Sequence, residues 1–398
     1  MNILIPTTNG FYRNVLTLNR SLGKRNYKLH VLTSDNRLIR LQNMLRSRYC
    51  SSISPCANPM NAPGSFLKQV RDYVIEKEID IILPTCDSVA SVLSYGKKNI
   101  PAMLPLPDYP VFANALSKSE TIKAADKLNI PLPHTIEGLS IQHLLDEIMK
   151  QKMCYPLVLK PRVRGDGLMG PQVVYSKSGL QSVFEQYTSI GVKEPVYDYL
   201  NPLLQEYVRG VIYDCCVLCD RGELKCYLTQ KRIRTALPYG GGGVVNETTD
   251  SPEIIEYSRL LLKKLKWSGP AQVEYIKKDD GTWVLMEVNP RFWGTLQLSV
   301  DAGIDYPFLT VKQLEGCSDE LFNDLHYRIG LKERWAYPGE LSSILKDKNN
   351  LFSRFVEYLN PADLFNPNVC FANQLTDPKP ELFNLLKTVL SHVFNRGK

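Results

Sequence analysis

Two glutamates, an asparagine and an arginine lie close together between residues 274 and 291. Glu274 is in the apolar segment AQVEYI, and after a turn at 279–281 the segment TWVLMEVNPRFWG carries Glu287, Asn289 and Arg291. Both segments have the composition of β-strands, so the pattern predicts a hairpin in which Glu274 and Glu287 lie side by side. Residues two apart share one face of a strand, so Glu287, Asn289 and Arg291 are expected to point the same way.

These side chains offer oxygen ligands and one guanidinium. Mg²⁺ prefers carboxylate and amide oxygens and completes its shell with water and substrate phosphates. An arginine beside such a cage, here Arg291, suits the stabilisation of charge on a transferring phosphoryl group. The alternative is a pair of solvated glutamates on an exposed sheet face, which leaves the apolar neighbours Val284, Leu285 and Val288 unexplained.

A second candidate site follows the apolar segment YPLVLK, which ends at Lys160. In the sequence KPRVRGDGLMG, Gly165, Gly167 and Gly170 would let a loop bring its backbone N–H groups close to a ligand. A lysine beside such a loop suits a phosphate clamp, and the alternative is a surface hairpin with an incidental lysine. The GxxxxGK[ST] pattern is absent, which excludes a P-loop NTPase.

The composition is that of a globular protein. With 398 residues, 44% of them hydrophobic and 22% charged, the chain is neither collagen-like, coiled-coil nor broadly disordered. Its net charge of +7 is scattered, which suits small anions at least as well as nucleic acid. No apolar run reaches the roughly 18 residues of a membrane span, and no secretory pattern opens the chain. We expect a cytoplasmic protein with no nucleic-acid partner and no integral membrane segment.

The ten cysteines have irregular spacings and are interpreted as reduced thiols. Cys215, Cys216, Cys219 and Cys226 lie close together, with one CxxC and no nearby histidine. A zinc site is one interpretation of this group. The alternating apolar run around it favours a β-strand instead.

The first hundred residues alternate strand-like and helix-like segments. Strands are predicted at 1–6, 27–33 and 79–84, with helices at 12–22 and 64–78. This βαβ rhythm predicts a parallel, Rossmann-like sheet with right-handed crossovers. No GxGxxG follows the first strand, so NAD binding is not expected. The proline-rich segment at 100–110 predicts a domain boundary nearby.

Taken in order, these features resemble the ATP-grasp superfamily. The resemblance is carried by Lys118, by Lys160 with its glycine loop, by LLQEYVRG at 203–210, and by VEY followed by MEVNPR. Within the superfamily the chain is most similar to the carboxylate-amine ligase group related to the large subunit of carbamoyl-phosphate synthase. The segments KRIRTALPYGGGG, LMEVNPRFWGTL and ILPTCDS extend the likeness over nearly the whole chain, with a looser match in the last eighty residues.

The resemblance implies an α/β (α+β) fold in three parts. A Rossmann-like N-terminal domain would span 1–112 and an ATP-grasp domain 113–316, the latter divided into a lid-bearing lobe at 113–205 and a metal-binding lobe at 206–316. A helical C-terminal extension would span 317–398. The loops at 8–11 and 85–88, at the carboxyl ends of N-terminal strands, are expected to help build the acceptor pocket.

The resemblance also implies a role for each matching residue. ATP phosphates would contact Lys118 and Lys160, under the loop from Gly165 to Gly170, while adenine would meet the backbone of Glu206, Tyr207 and Val208. Two Mg²⁺ ions, with Mn²⁺ as a substitute, would bind Glu274, Glu287 and Asn289. Catalytic arginines would be Arg291, Arg232 and Arg234. Relatives often carry an acidic residue soon after the hinge glycine to hold the ribose, whereas here Val211 and Ile212 follow Gly210, and Asp214 is the expected substitute.

The implied function is ATP-dependent ligation of a carboxylate and an amine through an acyl phosphate. The alternatives are bicarbonate activation of the carbamoyl-phosphate-synthase or biotin-carboxylase type, and a catalytically inactive nucleotide-binding protein. Small-molecule substrates and a homodimer are the expected partners.

Overall fold

The computed structural model describes residues 1–9, 12–164, 168–193, 197–237, 240–347 and 349–395. Three β-sheets, each with its own helices, make up this part of the chain. None of the helices within these ranges is long and apolar enough to cross a membrane.

The N-terminal domain is built on a parallel sheet of strand order β3-β2-β1-β4. Its strands are β1 (Asn2–Thr7), β2 (Lys28–Thr33), β3 (Cys50–Pro55) and β4 (Ile81–Ile82). Its helices are α1 (Arg13–Gly23), α2 (Ile39–Met44), α3 (Pro63–Glu76) and α4 (Asp87–Gly96). The predicted βαβ rhythm is confirmed, and β3, a polar CSSISP segment, is the strand that the pattern did not indicate.

A proline-rich connector leads from this sheet to α5 (Tyr109–Leu116) and α6 (Lys118–Asp126). The carbonyl oxygen of Pro105 comes so close to Gly269 that a Cβ there would lie 2.0 Å away. Gly269 also has a φ of +102°, a conformation that L side chains rarely adopt. The connector is thus fixed against the start of a strand of the largest sheet.

A small lobe follows, with a sheet of order β5-β8-β6-β7. It contains β5 (Thr135–Glu137), α7 (Ile141–Lys150), β6 (Leu157–Lys160), β7 (Gln172–Val174), α8 (Lys177–Lys193) and β8 (Leu203–Glu206). Leu157 and Leu159 are fully buried in the lobe's own core, while Lys160 ends the strand. Because side chains alternate along a strand, Lys160 lies on the face of β6 opposite to Leu157 and Leu159.

The largest sheet has the order β13-β12-β9-β10-β11-β14-β15. Its first part comprises β9 (Val211–Asp220), β10 (Glu223–Leu237), β11 (Gly240–Thr249), α9 (Pro252–Leu265), β12 (Gly269–Lys277), β13 (Trp283–Asn289), α10 (Leu296–Asp301) and α11 (Tyr306–Leu314). One face, with Cys215 and Val217, packs in a core with α5, α6 and α9. The other face, with Cys216 and Leu218, packs in a core with α1, α10 and α11. Residues of the N-terminal domain take part in both cores.

The C-terminal extension is helical, as expected, and it also completes the largest sheet. It contains α12 (Glu320–Asn323), β14 (Lys332–Arg334), α13 (Leu341–Lys346), α14 (Leu351–Tyr358), α15 (Ala362–Phe365), β15 (Val369–Phe371) and α16 (Pro378–Asn395). The two strands have three residues each, too few for an alternating pattern to reveal them. A buried ion pair between Arg20 of α1 and Asp377 (3.0 Å) holds the end of the extension to the N-terminal domain.

The four neighbouring cysteines lie in strands, as the apolar run predicted. Cys215, Cys216 and Cys219 belong to β9 and Cys226 to β10, and all four are buried free thiols. Over the residues that the structure describes, no group of three or more His, Cys, Asp or Glu could hold a metal ion.

We expect Gly269→Ala to destabilise the fold by about 2–4 kcal/mol, because the new Cβ would strike the Pro105 carbonyl and strain the backbone. Urea unfolding measures this. Gly281→Ala is the matched control, since Gly281 has a φ of +86° and nothing within 4 Å of a Cβ. Equal losses in the two variants would show that backbone conformation alone, and not the connector contact, sets the cost.

Candidate active site

The two glutamates of the β12–β13 hairpin lie opposite each other. Glu274 pairs with Glu287 and Gln272 with Asn289 in the antiparallel register, which confirms the predicted side-by-side placement. The Asn289 Nδ2 donates a hydrogen bond to Glu274 Oε1 (2.8 Å). Two carboxylates and an amide therefore converge at one end of the hairpin.

Each carboxylate has its own cation. Lys118 Nζ, at the start of α6, lies 3.0 Å from Glu287 Oε2, and Arg232 Nη2, on β10, lies 2.7 Å from Glu274 Oε1. Burial raises the pKa of Glu287, but the charges of Lys118 and Lys160 outweigh it and bring the pKa to about 2. Burial raises the pKa of Glu274 in spite of Arg232. Each of the two glutamates therefore has a positively charged partner of its own.

Lys160 lies at the end of β6 with only 6% of its surface exposed. Burial lowers its pKa to about 8; the carboxylate of Glu287 opposes this shift, and the charge of Lys118 adds to it. Lys118 and Lys160 therefore both act on Glu287, one from α6 and one from the small lobe. The structure brings together the two lysines that the sequence indicated.

The glycine loop after β6 is described in part. Gly165 and Gly167 lie outside the described residues. Gly170 is at the end of the loop, where the hydroxyl of the buried Tyr187 lies within hydrogen-bonding distance of the carbonyl oxygens of Leu159 (3.0 Å) and Gly170 (2.7 Å). One side chain thus joins the strand that carries Lys160 to the returning end of the loop.

The segment between β8 and β9 forms the link between the lobes. Glu206 pairs with Leu157 across β8 and β6, and its carboxylate accepts the His134 N–H (3.1 Å). Glu206, Tyr207 and Val208 line a cavity of about 650 Å³ that also touches the β12–β13 turn at 278–280. The predicted hinge residues therefore border a space large enough for a flat heterocycle.

Asp214 takes a different place from the one expected. Its side chain is fully buried, and its two carboxylate oxygens accept hydrogen bonds from Arg232 Nη2 (2.6 Å) and Nε (3.2 Å). Gln230 Nε2 also donates to it (2.9 Å). The predicted ribose contact is corrected: Asp214 is buried on the same face as Glu274, opposite which it lies in the ladder, and it holds Arg232.

Arg234 is a second correction. In the β10–β11 ladder Arg232 pairs with Asn246 and Arg234 with Val245, so two residues of β10 stand against one of β11. This β-bulge turns Arg234 to the opposite face. There it forms ion pairs with Glu340 and with Glu357 (2.7 Å) in the C-terminal extension.

Arg291 is held by a residue that the motif analysis did not single out. Its Nε lies 3.1 Å from Asp87 Oδ1, at the start of α4 in the N-terminal domain, and its Nη2 donates to Asn289 Oδ1 (3.1 Å). Asp87 belongs to the loop at 85–88 that was expected to build the acceptor pocket. The role of this loop in an acceptor pocket stays a prediction, and its contact with Arg291 was not predicted.

The donor set fits a magnesium site. Glu274, Glu287 and Asn289 supply hard oxygen donors only, and Mg²⁺ is commonly held by one or two carboxylates together with substrate phosphates. The two lysines stand beside these oxygens, as phosphate binding requires. Such a set would hold the ion only loosely without a phosphate ligand.

Two comparisons with known proteins identify the fold. Residues 200–332 match the family model described as ATP-grasp in the biosynthetic pathway with Ter operon. The crystal structure of a biotin carboxylase–β,γ-ATP complex from Campylobacter jejuni superposes with a TM-score of 0.65 over 83% of this chain and 74% of that one, at 15% identity. The chain has the ATP-grasp fold. This confirms the resemblance drawn from its motifs.

Other ATP-grasp-like structures match to a similar degree. An L-amino acid ligase from Bacillus licheniformis has a TM-score of 0.60, 14% identity and coverage of 83% and 78% of the two chains. The biotin carboxylase domain of a 2-oxoglutarate carboxylase from Hydrogenobacter thermophilus, solved with MgADP, ADP and bicarbonate, has a TM-score of 0.63, 14% identity and coverage of 83% and 73%. A search of curated proteins gives no match.

If Lys160 contacts the phosphates of ATP, as the resemblance implies, the affinity for Mg·ATP should fall roughly tenfold between pH 7 and pH 9, because only the protonated amine attracts phosphate and each pH unit above its pKa costs a factor of about ten. The pKa of about 8 sets this window. Isothermal titration at both pH values measures the effect. Lys160→Arg, which stays charged, is the control and should show no such fall; a pH-independent affinity in the unmodified chain would contradict the prediction.

Proposed function

We propose that this protein is an ATP-dependent ligase that joins a carboxylate to an amine through an acyl phosphate and releases ADP and phosphate. The observation that carries the proposal is the convergence of Lys118 on Glu287 and of Arg232 and Asn289 on Glu274, beside the buried Lys160. Three cations and two carboxylates close together suit the binding of a metal–triphosphate complex. The ATP-grasp fold supports this interpretation.

In the proposed complex the adenine lies in the cavity beside Glu206, Tyr207 and Val208 and meets their backbone. The phosphates extend toward Lys160 and Lys118, with Gly170 nearby. Lys160 costs free energy to keep charged in the free protein, because it is buried. A bound phosphate removes that cost, so the lysine favours the nucleotide-bound state.

The magnesium of this complex would be held by Glu274, Glu287 and Asn289, with two ions expected and Mn²⁺ as a substitute. When bound, the metal neutralises phosphate charge and orients the phosphates. Two ion pairs orient the side chains around it: Arg232 holds Glu274, and Asp87 holds Arg291. In the proposed reaction Arg291 stabilises charge on the phosphoryl group and on the acyl phosphate, and its contact with Asp87 supports this role by fixing its orientation.

The reaction needs no nucleophilic side chain. An oxygen of the substrate carboxylate attacks the γ-phosphorus, and the bond to the ADP oxygen breaks, which gives an acyl phosphate. The amine nitrogen then attacks the carbonyl carbon, phosphate leaves with the bonding electron pair, and the amine loses a proton. The protein contributes position and charge neutralisation.

Bicarbonate activation is the second candidate function. It is favoured by one comparison, since the Hydrogenobacter thermophilus carboxylase domain was solved with bicarbonate and shares the fold. Bicarbonate would then take the place of the organic carboxylate. The two functions separate in one assay, because only the second gives ADP release that depends on bicarbonate.

The first test is thermal unfolding of the full chain with Mg·ATP, with ATP plus EDTA, with NAD and without ligand. A ligand that binds only the folded state raises the unfolding temperature. We expect a rise of several degrees that is specific to Mg·ATP, followed by ADP release on screening carboxylates with amines. An unfolding temperature that Mg·ATP leaves unchanged would argue against a nucleotide-dependent ligase.

We expect Glu287→Ala to lower ADP release at least about 100-fold, because it removes a metal ligand and leaves Lys118 without its carboxylate. The fold should remain, which circular dichroism checks. Glu247→Ala is the matched control, since Glu247 forms a comparable half-buried pair with Lys231 (2.7 Å) outside the site. Full ADP release by Glu287→Ala would remove Glu287 from the metal site.

A further inference from the structure

Helix α14 lies on the surface of the C-terminal extension with its apolar side chains turned outward. Four apolar residues, in α14 and directly after it, follow the i, i+3, i+4, i+7 spacing of a single helix face, and all four are exposed: Phe352, Phe355, Val356 and Leu359. No residue of this helix is buried. Because a surface helix normally turns its apolar face toward the core, α14 has the opposite orientation.

The polar side of α14 is the side that contacts the rest of the protein. Arg354 forms an ion pair with Asp347 (2.6 Å) and also donates to Ser343 Oγ (3.4 Å). Glu357, three residues further on, pairs with Arg234 of β10 (2.7 Å). Residues three apart share a helix face, so these contacts hold the polar face inward and leave the apolar face at the surface.

The short helix α15 adds two exposed apolar side chains, Leu364 and Phe365. Arg334 of β14 holds both helices, since it pairs with Asp363 (2.8 Å) and donates to the carbonyl oxygen of Tyr358 (3.0 Å). Leu364, Phe365 and the four apolar residues of the α14 face are called the α14–α15 surface below.

Two phenylalanines of the α14–α15 surface project far from the protein. Phe352 and Phe365 have 85% and 86% of their surface exposed, and every exposed phenylalanine among the described residues belongs to this surface. Single apolar side chains scattered over a protein are ordinary, whereas a group of them marks an interaction site. The α14–α15 surface is therefore a contact for a partner that buries apolar side chains.

The carboxylates of this part of the chain are neutralised from within the protein. From residue 341 onward each of them pairs with an arginine: Asp347, Glu357, Asp363, Asp377 and Glu381. Lys346 and Lys379, in contrast, are exposed, and neither has an ion pair with another described residue. The sequence adds Lys348, Arg396 and Lys398, which lie outside the described residues. The charge that this segment presents to solvent is therefore positive.

We propose that the α14–α15 surface binds a membrane that contains anionic lipids. Phenylalanine and leucine side chains on one face of an amphipathic helix insert at the boundary between headgroups and acyl chains, and lysines beside them attract negatively charged headgroups. With eight residues, α14 can lie in that boundary but cannot span the bilayer. Such binding does not depend on the proposed ligase function.

Charge argues against a second copy of the chain as the partner. A two-fold interface joins the same patch of both chains. Among the described residues from 341 onward no carboxylate lacks an arginine, so none is left to face the lysines of another copy. An anionic lipid surface supplies the negative charge that a second copy would not.

Two other features agree with a membrane partner. In α16, Leu382, Leu385 and Leu386 are also exposed, at the i, i+3, i+4 spacing, and Lys379 lies in the first turn of the same helix. The net charge of +7 attracts the whole chain toward an anionic surface before contact is made. Both features add to the attraction without taking part in the proposed ATP site.

Flotation of the full chain with lipid vesicles tests the proposal. One set of vesicles contains equal parts of phosphatidylglycerol and phosphatidylcholine, and the other contains phosphatidylcholine alone. We expect at least tenfold tighter binding to the anionic vesicles, weakened at about 1 M salt, where charges are screened beyond about 3 Å. Absence of binding to the anionic vesicles, or equal binding to both sets, overturns the proposal.

A double variant locates the apolar contact. Phe352→Ser combined with Phe365→Ser should weaken binding to the anionic vesicles roughly tenfold or more, because less apolar area enters the bilayer. Leu139→Ser combined with Met149→Ser is the matched control, since these side chains of the small lobe are 71% and 70% exposed. All four positions are at the surface, so the unfolding temperature should stay unchanged. Equal vesicle affinity of the two double variants would exclude the α14–α15 surface as the contact.

A charge reversal locates the lysines. Lys346→Glu should weaken vesicle binding about fivefold or more, because a lysine beside the headgroups contributes attraction and a glutamate repels them. Lys68→Glu is the matched control: it reverses an exposed lysine of α3 and changes the net charge equally, but should weaken binding less than about twofold. Equal losses would assign the attraction to net charge alone and overturn the placement of Lys346 at the membrane.

Light scattering separates the remaining partner. If the chain is a dimer that the Phe352→Ser and Phe365→Ser double variant converts to a monomer, and anionic vesicles do not bind it, the α14–α15 surface joins two copies and the proposal is wrong. Vesicle binding that requires these phenylalanines supports it in either oligomeric state. Neither result changes the expected effect of Mg·ATP on the unfolding temperature, so the two proposals succeed or fail separately.

Discussion

The positions of the side chains on the candidate active-site face depend on one buried cation that lies between two carboxylates. Arg232 lies between Asp214 and Glu274, and its own pKa is raised because these carboxylates outweigh the effect of burial. Removing either partner of such an arrangement would leave a buried charge uncompensated, which commonly lowers the free energy of unfolding by about 3–5 kcal/mol. The orientation of Glu274, and with it the proposed metal site, is therefore tied to β9 and β10 as well as to its own hairpin.

The N-terminal domain contributes charged side chains to the face of the largest sheet. It supplies Asp87 to Arg291 at one end of the sheet face and Arg13 to Glu333 at the other. These contacts join elements more than 200 residues apart in the sequence. Both domains thus contribute charged side chains to this sheet face, and neither forms it alone.

Much of the site could be predicted from the sequence because its chemistry lies in local patterns. Glu274, Glu287 and Asn289 follow from strand periodicity and a recognisable turn, and Lys160 from the end of an apolar strand. Arg234 could not be placed, because the local irregularity that pairs it with Val245 turns its side chain to the other face and leaves no mark in composition. Asp214 was misplaced because burial depends on neighbouring strands. The pairing of Arg13 with Glu333 depends on tertiary structure alone, and β14 and β15 are too short to show a period.

The bulge in β10 gives this strand two separate attachments. Before it, Arg232 serves the active-site face, and two residues later Arg234 is anchored to Glu340 and Glu357 of the C-terminal extension. The irregularity is local, because Arg232 and Thr235 keep the same register with β11, opposite Asn246 and Gly243, whereas Arg234 is shifted to Val245. One strand thus serves the candidate site and also holds the C-terminal extension, while its register with β11 is recovered at the next residue.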